Sequence, residues 1–210
     1  AIAKQGVNAE ERGYLSGIVR RVDEQYYTDE WAKCCLLLYK KELLQKPPLC
    51  LRRLFFRHPD KMKMFLEENP SRLFDVENDY YLPEEAYQDK RAFDCWAECL
   101  YEEFPEILGY IMGKSCNGKD GAFPHEFIRE FLEKQQNEKL TKAVFYGKFN
   151  SRGARIVQDG RTLYEQAKCY RAQARELRLK FPQSAKILLQ LAKWMESEAQ
   201  HDQLEAEIVP

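Results

Sequence analysis

Between Leu163 and Ala199 the apolar residues fall into two seams that paired helices satisfy. Leu163, Ala167, Tyr170, Ala174, Leu177 and Phe181 recur four and three apart, which keeps them on one face of an α-helix. Pro182 interrupts the run. After it, Ser184, Leu188, Leu191, Met195 and Ala199 form a second seam, with Ala185 and Ala192 beside it. The repeat is heptad-like, and so short a break makes antiparallel neighbours of two helices. The pattern predicts a long helical hairpin, closely packed because alanines alternate with larger side chains. Charge points the same way. Residues 161 to 180 hold six basic residues (Arg161, Lys168, Arg171, Arg175, Arg178, Lys180) and two acids, whereas Glu196, Glu198, Asp202, Glu205 and Glu207 follow on the second arm. An antiparallel pairing sets those acids beside Arg161 to Arg171. Each exposed pair is worth roughly 0.3–0.5 kcal/mol, and the set fixes the register.

The preceding 150 residues read as shorter helices punctuated by proline. Helical spacing runs from residue 8 to 27, and Thr28 or Asp29 is placed to cap a largely buried helix through Lys46 that Pro47-Pro48 ends. Pro59, Pro70, Pro83, Pro105 and Pro124 each stand where a new helix can begin. The Pro83 helix carries Ala86, Phe93, Trp96, Ala97, Leu100 and Phe104 on its apolar face. The Pro105 helix runs through Met112, and the Pro124 helix continues to Phe149. "SCNGKDGAF" is a turn-rich loop. No stretch sustains a period of two, so no sheet is expected; "RIVQ", Arg155 to Gln158, is the one brief strand-like run.

Composition excludes several classes. A formal net charge of -1 with 32% charged residues gives no global field to draw nucleic acid or anionic lipid. The aromatic content of 13% argues for a packed core over disorder. No run of 18 apolar residues could span a bilayer, and the N-terminus has no signal-like apolar stretch. The chain begins at Ala1, as a trimmed or tagged chain would. Seven irregularly spaced cysteines, mostly among apolar neighbours, suit a reducing cytoplasm and a role as small core residues.

Candidate chemistry is sparse. "KFNSRGARIVQDG", Lys148 to Gly160, contains two glycines seven apart and matches neither the P-loop nor the dinucleotide-binding pattern. It reads as a helix connection, with Gly153 supplying a positive φ and Asp159-Gly160 a turn before the hairpin. Lys148, Arg152 and Arg155 within it form a small basic cluster able to meet an anion or an acidic partner. Cys95 and Cys99 share a helix face without further ligands at metal-binding spacing, so core packing is the expected role. His125 with Glu126 and Glu130, and His201 with Asp202 and Glu205, match no metal or triad pattern. Lys168, Arg171, Arg175 and Arg178 make a basic stripe. A nucleic-acid binder combines such a stripe with a net basic domain, whereas this chain is near neutral with an acidic arm next to the stripe.

The segment from "YGKFNSRGARIVQDGRTLYEQAKCYRAQ" to "MESEA" resembles the C-terminal region of a family of large, mostly uncharacterised bacterial multidomain proteins. The pattern is an Asn-x-Arg-Gly loop, a glycine turn, a Tyr-Arg helix, an aromatic-Pro turn and an Ala-x-Ile-Leu helix ending Glu-x-Glu-Ala. Here these are Asn150, Arg152, Gly153, Gly160, Tyr170, Arg171, Phe181, Pro182, Ala185, Ile187, Leu188, Glu196, Glu198 and Ala199. Asp120-Gly121 and Pro124 also match. Phe181 stands where Trp is commoner and Met195 where Tyr is usual, as packing substitutions. The resemblance implies the end of a longer chain whose activity lies elsewhere, in the context of bacterial defence, and it brings no catalytic residue.

The sequence therefore predicts an all-α protein, with an irregular helical bundle over 1–150 and a C-terminal antiparallel helical hairpin over 151–210 packed on it as one structural unit. The expected function is a non-catalytic protein-interaction or scaffold module contacting other domains of a longer chain or a protein partner. No enzyme activity, cofactor, metal or membrane contact is expected. The alternative is a nucleic-acid or nucleotide-sensing module using Lys148, Arg152, Arg155, Arg171 and Arg175.

Overall fold

The computed structural model describes residues 9–25, 28–44, 46–70, 80–151 and 160–208. Ten α-helices and one short 3-10 turn occupy them, with no strand among the described residues. None of these helices is long and apolar enough to cross a membrane. The chain divides into two compact units, Ala1–Glu102 and Glu103–Pro210.

The first unit contains α1 (Ala9–Gln25), α2 (Asp29–Lys40), α3 (Leu49–Arg57), α4 (Pro59–Glu68), a 3-10 turn (Glu84–Tyr87) and α5 (Lys90–Tyr101). Local chemistry sets the starts. Thr28 caps α2, its hydroxyl accepting from the Trp31 amide at 3.1 Å. Pro59 fills the first position of α4, where the missing amide costs nothing. Asp89 caps α5 by accepting from the amides of Arg91 and Ala92, which separates α5 from the turn after Pro83 instead of one continuous helix. α2 stops at Lys40, ahead of Pro47-Pro48, because Glu42 takes a left-handed φ of 60°. Its buried face is Ala32, Cys35 and Tyr39, and Leu37 is 60% exposed, so the helix is less buried than its apolar content predicts.

An aromatic chain fills this core. Phe65 packs against Tyr39 at 5.6 Å and Phe55 at 5.4 Å between centroids. Trp96 meets Phe56 and Phe93. Such pairs add about 0.5–1.5 kcal/mol each beyond their buried area. Tyr80 is fully buried, and its hydroxyl donates to the Arg52 carbonyl at 3.0 Å. Burial pushes that hydroxyl well above the usual tyrosine range.

The second unit contains α6 (Pro105–Gly113), α7 (Glu126–Gln135), α8 (Glu138–Asn150), α9 (Arg161–Leu177) and α10 (Pro182–Ile208). α9 and α10 form the expected hairpin. Leu163, Ala167, Ala174, Leu177 and Phe181 are buried on one arm, as are Ser184, Leu188, Leu191, Met195 and Ala199 on the other. Ala185 and Ala192 are buried beside them, and Tyr170 is half-buried. α7 and α8 both pack on α10, and Phe149 meets Trp194 edge-on at 4.5 Å. The boundary between compact units therefore falls at Glu102 and not at residue 150: α6, α7 and α8 belong with the hairpin.

One predicted helix is two. Gln136 takes a left-handed φ of 48° and ends α7, and Asn137 caps α8 by accepting from the Leu140 amide at 3.1 Å. Pro124 precedes α7 without opening it; His125 is the N-cap. α6 and α8 run parallel at unusually close range. A Cβ added to Gly109 would lie 2.5 Å from the Ala143 Cβ, and one added to Gly147 would lie 2.9 Å from the Cα of Tyr110.

Candidate functional site

The polar groups of the second unit converge on the loop between α6 and α7. Arg129 on α7 is 2% exposed and forks onto Asp120, with bonds of 2.7 and 2.8 Å to its two carboxylate oxygens. Its guanidinium also lies 5.3 Å from the centroid of the Phe181 ring. Asp120 turns the loop locally by accepting from the Ala122 amide at 3.1 Å, and Glu126 accepts from the Lys119 amide at 3.2 Å. Gln173 on α9 grips the same loop with both ends of its amide, donating to the Gly121 carbonyl and accepting from the Phe123 amide, each at 3.4 Å.

Two further ionisable groups serve helix ends. His125 Nδ1 accepts from the Phe127 amide at 3.3 Å, which requires a ring nitrogen without its proton. Burial, the largest influence, lowers the His125 pKa and favours that neutral form. Glu133 reaches from α7 to the start of α10, accepting from the amides of Gln183 at 2.8 Å and Ser184 at 3.3 Å. Phe181 precedes Pro182 and offers no side-chain cap, so Glu133 supplies from a neighbouring helix what the local sequence omits. Desolvation pushes its carboxyl up despite those bonds.

Asp120 is held below the ordinary carboxylate value of 3.8, first by its hydrogen bond to Arg129. A depressed pKa contributes stability above 3.8 that is lost as pH falls through the folded value. Asp120→Asn should destabilise the protein by about 2 kcal/mol at neutral pH, reduced from the range for fully buried pairs because Asp120 is half exposed. The gap from wild type should narrow in urea unfolding below pH 4, a threshold taken as roughly the ordinary Asp value.

The basic residues singled out in the sequence have separate fates. Arg171 is bidentate to Glu196, at 2.7 Å through Nε and 2.6 Å through Nη2, which is the cross-hairpin pairing that the charge pattern predicts. Its partner's carboxyl is lowered, chiefly by that hydrogen bond. Lys168 pairs along its own helix with Glu165 at 2.7 Å. The Lys148 ammonium sits 4.4 Å from the Phe123 ring centroid, a cation–π contact. Arg175 is exposed. Arg152 and Arg155, with Gly153 and the "RIVQ" run, lie outside the described residues.

Sequence reasoning placed Arg175 and Arg178 in a basic stripe but did not join them to Lys180, Lys186 and Lys193. Arg175, Arg178, Lys180, Lys186 and Lys193 are all exposed, and none has an ion-pair partner among the described residues. Between residues 175 and 193 the sole acid is Glu176. The basic stripe therefore divides: its lower part is paired with protein acids, and its upper part joins Lys180 and Lys186 around the hairpin turn, with Lys193 further along α10. Leu179, 89% exposed, lies between Arg178 and Lys180. The signal was present as an uneven charge distribution along α10, basic through Lys193 and acidic after it.

The cysteines correct an expectation. Cys35 and Cys50 are buried, whereas Cys34, Cys95, Cys116 and Cys169 are exposed and Cys99 is intermediate. The buried face of α5 is Phe93, Trp96, Ala97 and Leu100, so Cys95 and Cys99 are not its core residues. Burial raises the Cys99 thiol. Alkylation of the native protein followed by mass spectrometry should label Cys34, Cys95, Cys116 and Cys169 first. Cys35 and Cys50 should react only on unfolding. No group of three or more potential metal ligands occurs among the described residues. No family model, curated protein or solved structure matches the chain.

Proposed function

We propose that the chain is a non-catalytic helical module that binds another protein, either a separate partner or further domains of a longer bacterial chain. The observation carrying this reading is the commitment of the clustered polar groups to the fold. Arg129 and Asp120 clasp a loop, His125 and Glu133 complete helix ends, and Arg171 and Glu196 join the hairpin arms. A catalytic centre instead concentrates ionisable groups around space for a reacting molecule. A defence-system setting rests on the resemblance alone.

Reconstitution tests the reading. A partner found by crosslinking in cells should re-form a stoichiometric complex when both proteins are pure, measured by light scattering. The nucleic-acid alternative predicts a gel shift at low salt that weakens steeply as salt rises. That shift, lost on Lys148→Ala and Arg175→Ala, would replace the protein-binding reading.

A further inference from the structure

We propose that the turn end of the α9–α10 hairpin is the docking surface, and that it receives an acidic protein segment carrying an apolar side chain. This rests on the protein-binding reading above and names the partner's chemistry. Two observations carry it. Exposed Arg175, Arg178, Lys180 and Lys186 flank the turn without an ion-pair partner among the described residues. Glu176 is the one acid between them in sequence, and the Glu133 carboxylate at the start of α10 is taken up by the Gln183 and Ser184 amides, while Lys168 and Arg171 further down α9 have protein carboxylates of their own. Like charges repel without counter-charge, so the cluster gains favourable interaction when an acidic surface arrives. Leu179, 89% exposed at the tip, and Leu189, 45% exposed on α10, add apolar area that water solvates poorly.

The leucines distinguish the occupant. Nucleic acid would use the cations through phosphate contacts and would stack bases on exposed rings. Phe181, the aromatic residue at this turn, is 7% exposed and has the Arg129 and Lys180 side chains against its ring. An acidic amphipathic segment uses both features together, with carboxylates on Arg175, Arg178, Lys180 and Lys186 and an apolar side chain on Leu179.

The test is fluorescence anisotropy with a labelled synthetic peptide bearing glutamates on one helical face and leucines on the other. The intact chain should bind it at low salt. Arg178→Glu combined with Lys180→Glu should weaken binding by about 100-fold, since charge reversal at two contacts replaces attraction with repulsion. Leu179→Ala should weaken it by roughly tenfold through lost apolar burial. Lys142→Ala, on α8, should leave it unchanged. All these positions are exposed, and circular dichroism of each variant checks that the helices persist. A wild-type chain that does not bind the peptide overturns the tip assignment, and the reconstitution test still judges the broader reading. Binding indifferent to the tip variants also overturns it and places protein binding elsewhere. Tighter binding of single-stranded or duplex oligonucleotides, unchanged by Leu179→Ala, overturns it in favour of nucleic acid.

Discussion

Gly147→Ala should cost about 3 kcal/mol, within the upper part of the range for overpacking a close contact. The added Cβ would stand 2.9 Å from both the carbonyl carbon and the Cα of Tyr110, and closer still to the carbonyl oxygen. Those are backbone atoms, so no side chain can rotate away and the helices must separate. The neighbouring positions share the constraint. Gly109 faces Ala143 and the Leu140 carbonyl, and Gly113 faces Val144 and Gly147. Small residues four apart on each helix thus form notches for the other backbone. The cost is net of the roughly 1 kcal/mol that alanine gains over glycine as a helix former. Gly13→Ala on α1, where an added Cβ meets nothing within 4 Å, should show that gain alone. Urea unfolding followed by circular dichroism measures both.

Gly160→Ala should cost about 2–3 kcal/mol, from two additive causes. Gly160 caps α9 at a φ of 74°, where an L side chain loses about 1–2 kcal/mol. Its added Cβ would also lie 2.6 Å from the Ala199 carbonyl oxygen on the opposite arm. Gly160→Asn separates the causes, because asparagine tolerates the left-handed region yet carries a Cβ. Asparagine should recover part of the loss and no more. Thermal unfolding of the three proteins under one condition makes the comparison.

The hairpin was legible because its signal is local and repeated. Large and small residues alternate at seven-residue spacing on both arms, and Pro182 marks the turn. Backbone reversals without glycine or proline were not. Glu42 ends α2 while Leu43 and Leu44 extend the apolar run, and Gln136 divides α7 from α8 inside a continuous amphipathic stretch. In hindsight Asn137, three residues before buried Leu140, was a capping signal. The cysteines misled because apolar neighbours in sequence point to other faces of a helix. The Asp120–Arg129 clasp joins a loop to a helix, and one chain read linearly gives no reason to pair those two charges over others. The basic stripe was visible, but its division into paired and unpaired halves depends on where Glu196 falls across the hairpin.

The central claim is that the buried and paired ionisable groups of the second unit hold the fold. A double-mutant cycle on Asp120 and Arg129 measures this most directly, using Asp120→Ala, Arg129→Met and the combination in urea unfolding at neutral pH. Removing Asp120 leaves a guanidinium that is 2% exposed with only the more distant Glu126 carboxylate, 4.0 Å away, as an ion-pair partner among the described residues, and replacing Arg129 with an apolar side chain of similar length relieves it. The account predicts that the double variant is more stable than Asp120→Ala alone, with a coupling energy above about 1 kcal/mol. A coupling near zero, with both single variants as stable as wild type, would contradict it.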